Sequence, residues 1–259
     1  MKNQNIALNT QFSTVSPSGN RQVLSITFLL LVWIMVAFSN FAQAGVQNGG
    51  FEITTNGACG LQYCTTAVGW NSNGYAFLFA PGTADTTGSE FVMGCCGLKL
   101  WGPNDGSNNG LPPSSPAGGN FLAADGAFDV QPIWQNVTGL TKNTHYTVSF
   151  WYAGAQQYIY TGANTEQWIV SFGSQTQATP ILSNSSEGFT TWYYQTFTFT
   201  ADGTSDVLSF VAKGTPNGVP PFVLLDGVGV TAAPEPGSLL LLGSAVLGFG
   251  GLLRRRLLG

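Results

Sequence analysis

Apolar positions between residues 45 and 233 recur with a period of two, and no segment there sustains an apolar i, i+3, i+4, i+7 repeat over three turns. Strands rather than helices are therefore predicted. From Tyr146 to Tyr152, Tyr146, Val148, Phe150 and Tyr152 fall on one face, while Thr147, Ser149 and Trp151 fall on the other. Trp168, Val170 and Phe172 alternate in the same way, and Phe197 and Phe199 stand against a threonine face. Leu208, Phe210 and Ala212 follow, then the run from Phe222 to Val230. Gly, Asn, Asp and Pro cluster between these segments at 138–143, 201–203 and 214–218, which is turn chemistry. Short strands joined by such turns predict an all-β fold, an antiparallel β-sandwich of jelly-roll type. Residues 103–120 hold four prolines and no aromatic residue. They read as a long exposed loop inside a loop-rich, cysteine-containing region, 55–120.

Both ends break this pattern. Residues 23–38 are apolar apart from Ser25 and Thr27, follow Arg21, and lead to Phe41-Ala42-Gln43-Ala44 ahead of Gly45. A basic flank, a short apolar run and small residues at Ala42 and Ala44 predict a secretory signal helix, residues 1–44, removed before Gly45. Such a leader implies the Sec export machinery as a partner; an uncleaved membrane anchor is the alternative. At the other end, Pro234-Glu235-Pro236 precedes residues 237–253, which carry no charge, and then Arg254, Arg255 and Arg256. That stretch is just long enough for a single transmembrane helix. Its arginines would stay cytoplasmic and leave the body outside. The domain division expected is a leader at 1–44, a sandwich at 45–233 and a tail at 234–259.

Composition changes what can be expected of the body. Only 8% of residues are charged, against about 25% in an ordinary soluble domain, so Asn, Gln, Ser, Thr and Gly must solvate the surface. All 12 acids fall between Glu52 and Glu235, where the only basic residues are Lys99, Lys142 and Lys213. An acidic, arginine-free body gives no footprint for nucleic acid. The 18 Phe, 7 Trp and 8 Tyr exclude a disordered chain.

The tail resembles the PEP-CTERM sorting signal of Gram-negative bacteria, with Pro234-Glu235-Pro236, an apolar helix and Arg254 to Arg256 in order. The resemblance implies recognition by an exosortase, transient anchoring in the inner membrane, and delivery to the cell surface or the exopolysaccharide matrix. It names an address and no activity.

A second resemblance covers most of the body. Asn48-Gly49-Gly50-Phe51-Glu52, Trp70, the segment Ile133 to Leu140 and Leu225-Asp226-Gly227-Val228 are similar to the jelly rolls of galactose-binding and carbohydrate-binding modules. That resemblance implies a structural calcium ion where the first and last strands meet, here at Glu52 and Asp226. The residues give a reason of their own. By parity Asp226 shares a face with Phe222, Leu224, Val228 and Val230, and a buried carboxylate needs a partner. With no arginine nearby, a hard cation serves; capping of backbone amides is the equal alternative.

Cys59, Cys64, Cys95 and Cys96 predict two disulfides in an exported protein. A Cys59–Cys64 bond would force a strained vicinal pair at 95–96, so bridges between the two clusters are favoured over it, with a four-thiolate zinc site as the rival. Signals of catalysis are weak. His145 is the single histidine and lies by parity with Thr147 and Ser149, and no nucleophile elbow, H-E-x-x-H or phosphate loop occurs. Asp125 and Asp129 form one of many carboxylate pairs a glycosidase mechanism could draw on. Trp151 and Trp192, at outward positions, are candidate platforms for sugar rings. The expectation is an exported, non-enzymatic surface or biofilm-matrix protein that binds polysaccharide. A structural adhesion protein contacting other proteins is the alternative, and a secreted glycan hydrolase the third.

Overall fold

The computed structural model describes residues 45–58, 60–61, 63–86 and 98–233. The leader with its Ala42-Ala44 cleavage site, the 234–259 tail with its expected transmembrane helix, and Cys59, Cys95 and Cys96 lie outside those residues. Among the described residues no helix is long and apolar enough to cross a membrane.

The body is an antiparallel β-sandwich of two sheets. One contains β1 (Asn71–Ser72), β4 (Ile133–Thr138), β10 (Ser205–Thr215), β6 (Asn164–Phe172) and β7 (Gln175–Ala178) in that order, with β8 (Leu182–Asn184) also paired to β6. The other runs β2 (Ala76–Phe79), β3 (Phe121–Asp125), β11 (Pro221–Ala232), β5 (His145–Gln156) and β9 (Tyr193–Thr200). The last strand thus sits at the centre of its sheet, paired on one side with β3 and on the other with β5.

Alternation explains the pairing. Tyr146, Val148, Phe150, Trp168, Val170, Phe172, Phe197, Phe199, Leu208 and Phe210 all turn inward and form the core between the sheets. Each fully buried side chain of this size contributes about 1.5–3 kcal/mol. Trp168 also ties the sheets together, because its indole Nε1 donates to the Leu224 carbonyl at 2.9 Å across the core.

The outer face of the five-stranded sheet is covered as well. Phe77, Phe79, Phe121, Ala153, Ala155, Phe222 and Leu224 pack there beneath Leu98, Leu100 and Leu111. Residues 103–120 form a loop, as their composition predicts, but not a wholly exposed one. Ser107, Leu111 and Ser115 are buried, because the segment closes over an apolar sheet face that would otherwise meet water.

A β-bulge corrects the parity expected for the last strand. Asp226 pairs with Trp151, but Gly229 already pairs with Ser149, so β11 carries one extra residue. Gly227 takes it in the left-handed region, at φ 60°. Phe222, Leu224 and Asp226 consequently face outward under the covering segment, whereas Val228 and Val230 join the core between the sheets.

Candidate functional site

Three segments converge at the bulge. The turn from Asn48 to Glu52 is fixed by the Phe51 amide donating to the Asn48 carbonyl at 3.0 Å, and by the Asn48 carboxamide bridging Ile53 and Val68. Trp70 donates its indole N–H to the Asn48 carbonyl at 3.0 Å and packs 5.1 Å from the Phe51 ring. The Val228 amide donates to the Gly49 carbonyl at 3.0 Å, fastening this opening turn to the last strand. From the covering segment, the Ser115 hydroxyl donates to Asp226 Oδ2. The Asn120 backbone amide donates to Glu52 Oε1 at 2.8 Å, and its side chain to the Phe51 carbonyl at 3.0 Å.

Glu52 and Asp226 are thereby brought together. A Cβ at Gly50 would stand 3.6 Å from Glu52 Oε1 and 3.7 Å from Asp226 Oδ1, so both carboxylates border one small space. Asp226 is fully buried, and burial pushes its carboxyl up to about 7; the Ser115 and Gly227 hydrogen bonds oppose that rise and the Glu52 charge adds to it. No lysine offsets the two negative groups, since among the described residues the one salt bridge is Lys99–Asp105 at 3.7 Å. Two converging carboxylates are the start of a hard-oxygen donor set of the kind calcium takes. Among the described residues no three His, Cys, Asp or Glu side chains cluster, so backbone oxygens or water would complete such a shell.

Trp151 adjoins this junction, being the cross-strand partner of Asp226 on one side and of Tyr194 on the other. The Trp151 and Tyr194 rings lie 5.1 Å apart on the outer face, and Tyr194 is 56% exposed. Thr147, Ser149, Thr196 and Thr198 continue the same face. An aromatic pair edged by hydroxyls can stack against the apolar side of a sugar ring while its hydroxyl groups are met by hydrogen bonds. Tyr194 was not singled out in the sequence, although the Trp151 register makes it the expected neighbour. Trp192 lies elsewhere on this face, packed edge-on against Phe121 at 5.7 Å and against Phe189 at 6.4 Å.

The remaining candidates do not assemble into a reactive centre. Asp125 is buried on the covered outer face with Phe121 and Ala123 and accepts from the Ala127 and Phe128 amides at 2.8 and 3.1 Å, while Asp129 is exposed beside the Tyr63 hydroxyl. His145 is exposed, with Nδ1 3.0 Å from the Thr200 hydroxyl. Cys64 is disulfide-bonded; the cysteine pairing scheme rests on residues outside those described.

The deciding comparison is with the tail. Residues 232–256 match the PEP-CTERM protein-sorting motif. The chain is thus marked as an exported protein for exosortase processing. No curated protein sequence matches it. Among solved structures the chain is similar to the CBM22-1–GH10 modules of Clostridium thermocellum endo-1,4-β-D-xylanase 10B complexed with xylohexaose. There the identity is 12% and the TM-score 0.37, over 74% of this chain and 29% of that one, so the chain spans under a third of the xylanase's length. It is similar also to the CBM22-1 xylan-binding domain of Paenibacillus barcinonensis Xyn10C, at 12% identity and TM-score 0.38, over 76% and 99% of the two chains. The K3 cleaved adhesin domain of Lys-gingipain from Porphyromonas gingivalis gives 12% identity and TM-score 0.35, over 64% and 92%. These likenesses carry no residue role across to this chain.

Proposed function

We propose that this PEP-CTERM protein is a non-enzymatic component of the cell surface or exopolysaccharide matrix of a Gram-negative bacterium, and that its sandwich binds polysaccharide. Before processing, residues 237–253 hold it in the inner membrane, with the body outside. The sorting motif supports the address. The pair of half-buried Trp151 and exposed Tyr194, bordered by Ser149 and Thr196, is the observation that carries the binding role. Glu52 and Asp226 hold a structural calcium ion that fixes the opening turn to the last strand, just beside that pair. Calcium there supplies only charge neutralisation; the chain's own residues present the sugar-facing surface. Bridges between the 59–64 loop and Cys95–Cys96 staple the less regular, loop-rich N-terminal region.

Purified full-length protein on a polysaccharide array should bind at least one bacterial or plant polysaccharide, and Trp151→Ala should lose it. Absence of binding to every polysaccharide, including the producer's own, would remove this reading. The second reading, an adhesion protein contacting other proteins, is favoured by the exposed Tyr63 and Phe128 rings around Asp129. Deleting 234–259 should release the body to the medium; unchanged surface retention would contradict the sorting assignment.

A further inference from the structure

A second polar cluster lies inside the sandwich, on strands that take no part in the junction described above. Asn164 and Glu166 occupy the inward face of β6, two residues apart and in line with Trp168. Asn184 of β8 is the cross-strand partner of Asn164. All three are buried, Glu166 to 1% exposure and Asn164 to 3%. Both carboxylate oxygens of Glu166, and both polar atoms of the Asn164 carboxamide, have no hydrogen-bond partner. Buried polar atoms are almost always satisfied in folded proteins, so four in one place call for a bound group. The Asn184 amide donates to the Gly188 carbonyl at 3.1 Å and reaches Glu166 only outside ordinary hydrogen-bond geometry, and among the described residues no salt bridge reaches Glu166.

The surroundings are built to admit the carboxylate. A Cβ at Gly154 would fall 2.5 Å from Glu166 Oε2 and 3.3 Å from the Thr190 methyl group. Glycine at that point of β5 therefore leaves the room the carboxylate occupies. Thr190 and Asn184 also line a surface groove of about 420 Å³, together with Ser183, Ser185 and Tyr193.

The donors here are buried carboxylate and carboxamide oxygens, with no histidine, cysteine or lysine among the three residues. Such a set selects a hard cation, and the groove offers water for its remaining positions. We propose that Glu166, Asn164 and Asn184 bind calcium, entering from this groove, at a site separate from Glu52 and Asp226. With a single carboxylate, affinity falls in the range of about 0.1–1 mM typical of extracellular calcium modules. The competing state is a protonated Glu166 with no ion, and burial does raise its carboxyl to about 8.

The test uses the full-length chain carrying Glu52→Gln and Asp226→Asn, titrated with calcium by calorimetry and with terbium by luminescence. Trp168, next along the inward face, sensitises a lanthanide held at Glu166. One equivalent of calcium should remain, and adding Glu166→Gln should abolish it along with the Trp-sensitised terbium signal. Asn164→Asp, which adds a second charged ligand, should tighten binding at least tenfold. Should the double variant not fold, Glu166→Gln in the otherwise native chain should lower the calcium stoichiometry by one. Calcium binding unaffected by Glu166→Gln overturns the proposal. So does Asn164→Asp without tighter binding, the mark of a merely protonated acid beside a new charge, or no binding up to about 10 mM calcium.

Discussion

Asp125→Asn isolates what a buried acid costs in a body with almost no basic residues. Asp125 ends β3, is almost fully buried and has no cationic partner; burial lifts its carboxyl from 3.8 to about 6 despite hydrogen bonds from the Ala127 and Phe128 amides. A rise of about two pH units corresponds to about 3 kcal/mol. The folded state holds the proton more tightly than the unfolded chain does. Its stabilising effect is therefore complete below about pH 4, is lost as pH rises through 6, and stays lost above that. Asparagine keeps an oxygen for the two amides and carries no charge. Relative to wild type, Asp125→Asn should gain about 3 kcal/mol between about pH 4 and pH 7.5, whatever the absolute stabilities. Guanidinium unfolding of both chains at the two pH values, with chelator present, measures this double difference. The raised carboxyls of Asp226 and Glu166 act with the same sign in both proteins and cancel. Two stability profiles that run parallel across the window would refute the reasoning.

Trp168→Phe keeps an aromatic ring in the core but removes the indole bond to the Leu224 carbonyl and some packed volume, and should cost about 1–3 kcal/mol in the same assay; an unchanged midpoint would mean the bond between the sheets contributes nothing. Gly227→Ala places a Cβ 2.8 Å from that of Ala117 at a φ of 60°. It should destabilise by about 1–3 kcal/mol and reduce the rise in melting temperature given by calcium. Tyr194→Ala should weaken polysaccharide binding about tenfold, the worth of about 1.4 kcal/mol of aromatic contact, with little effect on melting because the ring is half exposed. Chelation should lower the melting temperature of wild type by more than that of Glu52→Gln/Asp226→Asn; equal shifts would place no calcium at that junction.

The strands that the sequence announces are those with one face buried. β6, β9, β10 and the first half of β5 alternate because each has a core side and a less apolar side, whereas the start of β11 and the end of β5 are buried on both faces. β2 and β3 carry no such signal, since every residue of Ala76–Phe79 and Phe121–Asp125 is buried and two covered faces erase a period of two. β7, Gln-Thr-Gln-Ala, is held by its ladder to β6 rather than by apolar side chains. Parity also fails where a residue is inserted, and Asp226 reaches the outer face for that reason alone. At the junction, Glu52 and Asp226 were legible as acids without partners. Ser115 was not, because nothing in a proline-rich segment ties one serine to an aspartate 111 positions away. Asn164 and Glu166 extend the inward alternation of Trp168, Val170 and Phe172, but polar residues break an apolar count.

The scarcity of basic residues then has a structural consequence. Asp125, Glu166 and Asp226 are all buried, and a buried carboxylate must be neutral, hydrogen-bonded or bound to a cation. Asp125 takes two backbone amides, Asp226 takes Ser115 and a bulged amide, and Glu166 takes none of ordinary geometry. A protein with arginines to spare would pair such groups internally and be indifferent to its medium. Under the calcium assignments proposed above, this one would leave their neutralisation to protons and to cations from outside. The most exposed consequence lies at Asp226, whose strand neighbour is Trp151. Any ion that settled that carboxylate would also fix the bulge against which the Trp151 ring rests, so the medium that surrounds the body would tune the surface the body presents to it.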